Sequence, residues 1–321
     1  NIEVYHLHYG LNSKNTISFS ENITKIEFMK FKDLLTFVKE NNIKNNIVIY
    51  IKPCDRIKLF FLSKKYKFHI LISSFETNIA KRTIINLNHV IFFKGNKYCV
   101  SNRIQRSIDK YTRKSIYLPP PINDDFFSEK QVITSKKRIA FMGRLDFGKG
   151  ADIAFKYFLN SDLDNDEFEF YFYSYPSVTD DFSMKLYKEL KSTEKINFVE
   201  PNSNLSPTEI NNSLKNIIDN TDLFFLPYRE ISSTIDYPLV PMEIISRNKD
   251  LITSNIHPLN DLIANKKSLV KPIDILNVEF IDDLIKLFLT KNKTYSKSQN
   301  MNEFRTSKIV DKLINTITFE D

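Results

Sequence analysis

Apolar runs of strand length alternate with polar or helix-forming stretches along the whole chain. In the first half these runs cover residues 2–8, 46–51, 68–73, 89–93 and 115–119. A second series covers residues 138–143, 167–175, 195–200, 222–228 and 250–255. Helix-forming stretches lie between the runs, and one of them starts with a capping-box pattern at Ser206 and Glu209. Because strands that alternate with helices build parallel sheets covered by helices, the pattern predicts two doubly wound α/β domains in tandem.

A polar stretch between the two series predicts the domain boundary. We expect a Rossmann-like N-terminal domain at 1–130, a linker at 131–137, a Rossmann-like C-terminal domain at 138–298, and a C-terminal helix in 299–321 that can cross back onto the N-terminal domain. In open parallel sheets, ligands bind at the carboxyl ends of the strands. The sequence therefore predicts a ligand cleft between the two domains.

The formal net charge of +7 is divided unequally between the halves of the 321-residue chain. Residues 1–135 hold 22 Lys and Arg against 11 Asp and Glu, whereas residues 136–321 hold 24 against 28. The composition, 42% hydrophobic and 26% charged, is that of a globular protein and argues against long disorder. A basic half is typical of a protein that meets an anionic partner, such as a phospholipid surface, a lipid-phosphate acceptor or nucleic acid. A solvated, Lys-rich surface explains the same composition.

The cysteine content indicates the compartment. Cys54 and Cys99 have neither the spacing of a metal site nor that of a disulfide framework. This usage is typical of a reducing environment, so we expect a cytoplasmic protein. No stretch approaches the roughly 18 apolar residues of a membrane-spanning helix, so we expect no such helix.

Three of the five glycines of the chain fall in the stretch GRLDFGKG at 143–150, which we call the glycine loop. Its G-x-x-x-x-G-K spacing is that of a nucleoside triphosphate loop, but Gly150 replaces the Ser or Thr whose hydroxyl binds magnesium. The loop joins a predicted strand to a predicted helix, and a helix N-terminus beside cations, here Arg144 and Lys149, favours an anion. A glycine turn with solvent-facing charges is the alternative. The sequence thus predicts a phosphate site that lacks the magnesium ligand.

The glycine loop resembles the GRL-x-x-x-KG signature of glycosyltransferase family 4, whose members have the GT-B fold of two Rossmann-like domains that face a central cleft. Other segments between residues 95 and 260 also resemble the family and occur in the family's order. YCVSN and IYLPPPINDDFF precede the glycine loop, and LFFLPYRE and YPLVPMEIIS come after it. The resemblance implies that Gly143, Arg144 and Lys149 hold the diphosphate of a nucleotide sugar, with the two cations acting in catalysis.

The segment YPLVPMEIIS extends the resemblance to further contacts with the donor. Glu243 matches the family glutamate that accepts hydrogen bonds from the ribose hydroxyls, and a carboxylate suits a diol because it offers acceptors to both hydroxyls. The backbone N–H groups of Leu239 and Val240 would face the phosphates. A glutamate on the surface of an amphipathic helix is the alternative interpretation of Glu243.

The family's other glutamate, eight positions earlier and near the transferred sugar, is absent. An ungapped count lands on Ile235, so the resemblance leaves Asp236 or Glu230 to reach the sugar, and we take Asp236 as the third catalytic residue. Pro238 replaces a family glycine and removes one N–H donor. The sugar end of the site therefore departs from the family pattern.

The N-terminal half departs further. The family's glycine-rich loop after the first strand is reduced to HLHYGLNSKN, where Gly10 is the candidate for a donor contact and His8 is expected to be structural. The family's His after a central strand aligns with Ser73, Ser74 or Phe75. His69 lies too early in its strand to replace it.

The resemblance implies a retaining glycosyltransferase that moves a sugar from a nucleotide-diphosphate donor to an acceptor hydroxyl in bacterial cell-surface glycan synthesis. It implies no cofactor besides the donor substrate and no metal, and we expect the Asp pairs within 124–125 and 162–166 to be solvated. The acceptor, a glycan or a lipid-linked glycan, is expected at the N-terminal domain. There the segments 56–68 and 103–114 mix Lys and Arg with apolar residues, as a peripheral contact with the inner face of a membrane would. A buried strand and an ordinary surface helix explain the same segments.

Two other function classes are consistent with parts of the chain. The missing His and the displaced acidic residue suggest a catalytically degenerate GT-B protein that binds a nucleotide or glycan, or that serves as a partner subunit. Nucleic-acid binding would explain the basic half, but the chain has no recognised binding motif, so we expect no nucleic acid partner.

Overall fold

The structure, a computed structural model, divides the chain into two compact units. The N-terminal unit comprises Asn1–Ile72, Asn78–Tyr98 and Gln105–Ile116, and the C-terminal unit comprises Ser73–Thr77, Cys99–Ile104 and Tyr117–Asp321. The residues that the structure describes are 4–9, 15–20, 23–28, 31–43, 45–48, 67–72, 96–110, 115–127, 132, 135–174, 180–200, 205–229, 237–257, 259–263, 268–290 and 301–318.

Two small sheets occupy the first part of the chain. The first sheet has the order β1-β3-β2, with β1 parallel and β2 antiparallel to β3. Its strands are β1 (Val4–Tyr9), β2 (Asn15–Ser20) and β3 (Ile23–Phe28), and helix α1 (Phe31–Glu40) follows. The second sheet has the order β4-β5-β6-β7. Its strands are β4 (Asn45–Val48), β5 (Lys67–Ile72), β6 (Lys97–Cys99) and β7 (Ser115–Tyr117), with helix α2 (Asn102–Asp109) between the last two.

The predicted apolar runs match part of this arrangement. The runs at 2–8, 46–51, 68–73 and 115–119 correspond to β1, β4, β5 and β7. The run at 89–93 lies outside the described residues. The pattern missed β2, β3 and β6, because β2 and β3 alternate apolar with Ser, Thr and charged residues and β6 has three residues.

The C-terminal unit contains a six-stranded parallel sheet of order β10-β9-β8-β11-β12-β13. Its strands are β8 (Lys137–Met142), β9 (Phe168–Tyr173), β10 (Ile196–Val199), β11 (Leu223–Leu226), β12 (Asp250–Ser254) and β13 (Leu269–Val270). Numbered along the chain, this is the 3-2-1-4-5-6 order of a Rossmann fold, whose strand order reverses between β8 and β11. All five predicted runs of this half are strands, and β13 is the strand that the pattern missed.

Seven helices in the described part of this unit connect and cover its strands. They are α3 (Ala151–Asn160), α4 (Asp181–Ser192), α5 (Pro207–Asp219), α6 (Leu239–Ser246), α7 (Leu259–Leu262), α8 (Val278–Thr290) and α9 (Thr306–Thr318). Short 3-10 helices span Asp124–Phe127, Asp274–Leu276 and Met301–Phe304. The predicted capping box is present at α5, where the Ser206 hydroxyl accepts from the Glu209 N–H at 3.3 Å and the Glu209 carboxylate accepts from the Ser206 N–H at 2.8 Å.

Stacked aromatic side chains fill the centre of the C-terminal core. Phe141 stacks on Phe172 with ring centroids 4.4 Å apart, and Phe158 of α3 stacks on Phe170 at 4.8 Å. All four residues of β11 and the last four of β8 are buried. Because a parallel strand that is covered on both faces buries every side chain, its sequence is a continuous apolar run. This is why the strands of this half were predictable.

The C-terminal helix packs beside the segment that precedes the predicted linker. Ile122 pairs with Arg305 in an isolated parallel bridge, with hydrogen bonds from the Ile122 N–H to the Phe304 carbonyl (2.7 Å) and from the Thr306 N–H to the Ile122 carbonyl (2.9 Å). Both segments belong to the C-terminal unit. The boundary predicted at residue 130 assigns Tyr117–Phe127 to the N-terminal domain, whereas the contacts in the structure assign this segment to the C-terminal unit.

Helix α2 bears on the proposed membrane contact. It lies in the basic segment 103–114, and its two isoleucines, Ile104 and Ile108, are completely buried. The apolar residues of this helix therefore pack inside the protein, as the surface-helix alternative expects. The other basic segment, 56–68, lies almost entirely outside the described residues. Among the helices in the described ranges, none has both the length and the apolar character needed to cross a bilayer.

Candidate functional site

The glycine loop follows β8 directly and ends at Gly150, the residue before α3. The Gly143 N–H donates to the Tyr173 carbonyl (3.1 Å) and so continues the sheet. Gly150 caps α3 with φ 68°, in the left-handed region, and a Cβ built on it would lie 1.9 Å from the Pro227 carbonyl oxygen. A non-glycine residue at position 150 would therefore combine backbone strain with a severe overlap. This close packing explains why the loop lacks the Ser or Thr of a triphosphate site.

Asp146 organises the turn of the glycine loop. One carboxylate oxygen accepts hydrogen bonds from the Gly148 N–H (2.8 Å) and the Lys149 N–H (3.3 Å). The Gly150 N–H donates to the Phe147 carbonyl at 3.0 Å, and the Ala151 N–H points to the Asp146 carbonyl at 3.5 Å. Two of the backbone donors at the start of α3 thus have acceptors inside the loop. We expect an anion at this loop to be bound mainly by side chains, with fewer donors from the helix N-terminus than the sequence suggested.

The Lys149 side chain is partly buried against two neighbouring residues. Its chain passes Gly143, since a Cβ built there would be 3.6 Å from the Lys149 Cδ, and its Nζ is 5.1 Å from the centroid of the buried Tyr228 ring. Burial lowers the pKa of Lys149, and the nearby Arg144 lowers it further, while Asp146 opposes the shift. Burial also raises the pKa of Tyr228, so that its phenol stays neutral. An anion beside Lys149 would favour the charged ammonium and so oppose the lowering of its pKa.

Arg144 lies on the more open side of the same loop. Its side chain is 58% exposed, and its Nη2 is 3.5 Å from a carboxylate oxygen of Asp146. Arg144 and Lys149 lie on the same loop, and the positive charge of Arg144 contributes to the lowered pKa of Lys149. Because an anion between two cations relieves the repulsion between them, the pair is suited to a ligand that carries more than one negative charge.

Helix α6 presents backbone donors at its first turn. Leu239 and Val240 are its first two residues, so their N–H groups have no acceptor within the helix. Pro238 is the N-cap, Pro241 has no N–H, and the Met242 N–H reaches the Pro238 carbonyl at 3.4 Å. The Leu239 side chain is exposed. The two N–H groups named from the sequence therefore have no acceptor within the helix, and their contact with a ligand stays a prediction.

Glu243 lies one turn further along α6 and is largely buried. Within the described part of the chain its carboxyl group has no hydrogen-bond or ion-pair partner, and burial alone raises the pKa of Glu243 to about 7. A partly buried carboxyl group without a partner costs free energy, which makes Glu243 a candidate for a ligand contact. Its two oxygens match the needs of a vicinal diol.

The arrangement of the strands was compared with that of known proteins. No family model matches the sequence, and no curated protein does. Solved structures with the same fold include a glycosyltransferase from Rickettsia africae ESF-5, with 15% identity and a TM-score of 0.70 over 94% of this chain and 86% of that chain. The apo form of the lipopolysaccharide outer core galactosyltransferase WaaB has 16% identity and a TM-score of 0.59, over 92% of this chain and 84% of that chain. The UDP-forming α,α-trehalose-phosphate synthase from Burkholderia vietnamiensis has 9% identity and a TM-score of 0.60, over 100% of this chain and 95% of that chain.

The chain has the GT-B fold. The fold class predicted from the sequence is therefore confirmed, with two Rossmann-like domains. At these identities the likeness shows the fold and does not by itself assign an activity to this chain.

Within the C-terminal domain of this GT-B fold, three segments lie at the edge of the sheet where ligands bind in Rossmann folds. The glycine loop follows β8, residues 227–229 follow β11, and α6 begins after the next loop, all at the carboxyl ends of the two strands between which the strand order reverses. Contacts from Gly150 to Pro227 and from Lys149 to Tyr228 join the first two segments. Gly143, Arg144 and Lys149 are thus brought together on one loop. Leu239, Val240 and Glu243 lie on a second element at the same edge of the sheet.

Several residues named from the sequence fall outside the described part of the GT-B chain. These are Gly10, Asp236, Glu230 and the three positions that align with the family's His, namely Ser73, Ser74 and Phe75. Their roles stay predictions. In the described ranges no group of three or more His, Cys, Asp and Glu side chains is arranged to hold a metal ion.

Sequence reasoning missed four residues that shape the glycine loop. They are Asp146, Ser183, Tyr228 and Arg229. Asp146 had a local signal, since Asp two residues before Gly is typical of a turn in which the side chain binds the backbone. The Ser183 hydroxyl donates to the Leu145 carbonyl, and like the other two residues it reaches the loop from another element. No local pattern in the sequence reveals such contacts.

Replacing Glu243 with glutamine is expected to stabilise the protein at pH 8 by about 1–3 kcal/mol and to have a much smaller effect at pH 5. The pKa of Glu243 is raised to about 7 in the folded state, above its ordinary value of 4.5. The carboxylate therefore costs stability that grows as the pH rises from 4.5 through 7, and an uncharged amide avoids this cost. Urea unfolding at the two pH values measures it, with Glu189→Gln on the exposed side of α4 as the control. An equal effect at both pH values would contradict the assignment.

Proposed function

We propose that the protein is a retaining glycosyltransferase of the family 4 type, which moves a sugar from a nucleotide-diphosphate donor to an acceptor hydroxyl. The observation that carries the proposal is the pair of cations on the glycine loop. Arg144 and Lys149 are close enough to repel each other, and they lie beside the strand-order reversal of a Rossmann sheet. The solved structures with this fold that bear transferase names support the same class of reaction.

The proposed reaction makes the diphosphate the group that needs stabilisation. The bond between the anomeric carbon and the diphosphate oxygen breaks, and its electron pair leaves with the diphosphate. The acceptor oxygen bonds to the anomeric carbon, and the hydroxyl proton passes to a leaving-group oxygen or to solvent. Negative charge thus grows on the diphosphate, where Lys149 and Arg144 would stabilise it in a site with little water. This chemistry needs no metal ion in our proposal.

The remaining site residues would hold the nucleotide. The Glu243 carboxylate would accept hydrogen bonds from the two ribose hydroxyls, and this requires its ionised form. Because the pKa of Glu243 is raised to about 7, nucleotide binding should weaken below that pH and should release a proton. The N–H groups of Leu239 and Val240 would donate to phosphate oxygens. We assign the contact with the transferred sugar to Asp236.

The proposed setting is bacterial cell-surface glycan synthesis at the cytoplasmic face of the membrane, with a glycan or lipid-linked acceptor. The excess of Lys and Arg in residues 1–135 supports an anionic acceptor or surface on that half. The catalytically degenerate alternative has less support, because the cations of the glycine loop are in place and the solved structures compared above bear the names of enzymes.

A thermal-shift panel of UDP, GDP, ADP and CDP sugars tests the proposal. We expect one donor class to raise the melting temperature of the wild-type protein by several degrees, because a ligand that binds the native state stabilises it. Arg144→Ala should weaken binding of that donor by at least about tenfold, since it removes a charge-assisted contact with the diphosphate. Arg106→Ala, which changes an exposed arginine of α2, is the control. The proposal fails if no donor stabilises the protein or if Arg144→Ala binds as tightly as the wild type.

A further inference from the structure

Arg229 is bound to the glycine loop and its helix by a dense set of contacts. It lies three residues after β11, and its guanidinium group holds the Asp152 carboxylate in a bidentate ion pair, with N···O distances of 2.5 and 2.7 Å. Asp152 is in the first turn of α3. Both side chains are mostly buried, so the pair has a fixed geometry and is poorly screened by solvent.

The same arginine also binds the turn of the loop. Its Nη1 donates to the Phe147 carbonyl at 2.9 Å, and the guanidinium carbon lies 4.0 Å from the centroid of the Phe147 ring. Its backbone N–H donates to the Gly148 carbonyl at 2.8 Å. Arg229 therefore contacts the loop on the N-terminal side of Lys149 and, through Asp152, the helix on its C-terminal side.

These contacts determine where the Lys149 backbone lies. Lys149 is the residue between Gly148, which is bound to Arg229, and Gly150, which packs against Pro227. The charge of Arg229 is balanced by Asp152, so its contribution to an anion is geometric and its own charge is already neutralised. Phe147 at the tip of the loop is 55% exposed, and Arg229 holds the turn together with the Asp146 hydrogen bonds and the edge-on contact between Phe147 and Phe182.

We propose that Arg229 is a positioning residue, which holds the glycine loop in the conformation that binds a diphosphate. It acts through Asp152, Phe147 and Gly148, and it does not touch the ligand. The inference rests on the proposed function, because the anion that the loop receives is the donor diphosphate. Preorganisation of this kind increases transition-state stabilisation, since the cations need not be reoriented during the reaction.

The test compares Arg229→Gln with Arg138→Gln. Arg138 is a matched control, because it also pairs with an acid (Glu169, 3.4 Å) and lies over an aromatic ring (Tyr171, 5.2 Å), but at the amino end of β8. The probes are the nucleoside diphosphate that stabilises the wild type and the same nucleoside without phosphates. We expect Arg229→Gln to bind the diphosphate about 10–50-fold more weakly and the nucleoside with unchanged affinity, and Arg138→Gln to bind both like the wild type.

Hydrogen exchange of the peptide that covers residues 143–155 provides a readout that does not depend on ligand. Arg229→Gln should exchange faster in that peptide and not elsewhere. Asp152→Asn should have a similar effect, and the double variant should be no worse than either single variant, because both remove the same pair. Should Arg229→Gln fail to fold, Arg229→Lys keeps the charge, loses the bidentate geometry, and should show an intermediate loss of diphosphate affinity.

The outcomes separate the two proposals. Equal losses of diphosphate and nucleoside affinity, or unchanged exchange at 143–155, would overturn the positioning role. If the wild-type protein binds no nucleoside diphosphate at all, the proposed function fails, and the exchange measurement alone decides whether Arg229 positions the loop.

Discussion

Lys149→Met is expected to lower the rate of sugar transfer by about 10²–10³-fold without loss of folding stability. Methionine keeps an unbranched chain that can pass Gly143, but it has no charge to place beside the leaving diphosphate. Burial lowers the pKa of Lys149, which means that the charged ammonium destabilises the folded state. Removal of this charge should therefore leave the folding stability unchanged or increased. The release of nucleoside diphosphate under saturating donor measures the turnover.

A matched substitution distinguishes this role from a general effect of charge. Lys156 is exposed on α3, the helix that follows the glycine loop, and Lys156→Met removes one positive charge at a distance from the loop. We expect its turnover to stay within about twofold of the wild type, since exposed charges are screened by solvent. If the two variants lost activity equally, or if Lys149→Met kept full turnover, Lys149 would not stabilise the leaving group.

Gly150→Ser is expected to destabilise the protein by about 3–5 kcal/mol, although it restores the residue type of a nucleoside triphosphate loop. Position 150 has φ 68°, which costs a non-glycine residue about 1–2 kcal/mol. The new Cβ would also lie 1.9 Å from the Pro227 carbonyl oxygen, so the loop and the end of β11 would have to separate. Urea unfolding or the melting temperature measures the loss.

The neighbouring glycine gives the comparison for this substitution. Gly148 is not among the residues with positive φ, so Gly148→Ala should cost clearly less than Gly150→Ser. A stable Gly150→Ser protein that binds a magnesium nucleoside triphosphate would contradict the account, since position 150 would then tolerate the hydroxyl of a triphosphate site.

The C-terminal domain was predictable because its central strands, β8 and β11, are buried on both faces. The runs around β8 and β11 are continuous and apolar, and three glycines in eight residues indicated the loop that follows β8. The cations of that loop and the capping box of α5 are likewise local patterns. Strand β13 has only two residues, which are too few to form a recognisable pattern. Strands β2 and β3 were not predicted because polar residues interrupt their apolar positions.

The interactions that fix the site depend on tertiary contacts. Arg229 and Asp152 are 77 positions apart, and nothing near either residue indicates the other. The need for glycine at position 150 follows from the Pro227 carbonyl, which belongs to a different strand end. The elevated pKa of Glu243 follows from burial, which the sequence of α6 does not reveal. The sequence thus indicated candidate residues for the site, while packing determines their positions and the pKa of Glu243.

The thermal-shift panel, run with EDTA and again with magnesium, tests the central claim most directly. The claim is that the glycine loop binds a diphosphate through Arg144 and Lys149 without a metal ion. The account predicts that one nucleoside diphosphate or its sugar stabilises the protein equally under both conditions, and more than the matching monophosphate does. Stabilisation by a nucleoside triphosphate alone, and only when magnesium is present, would contradict it.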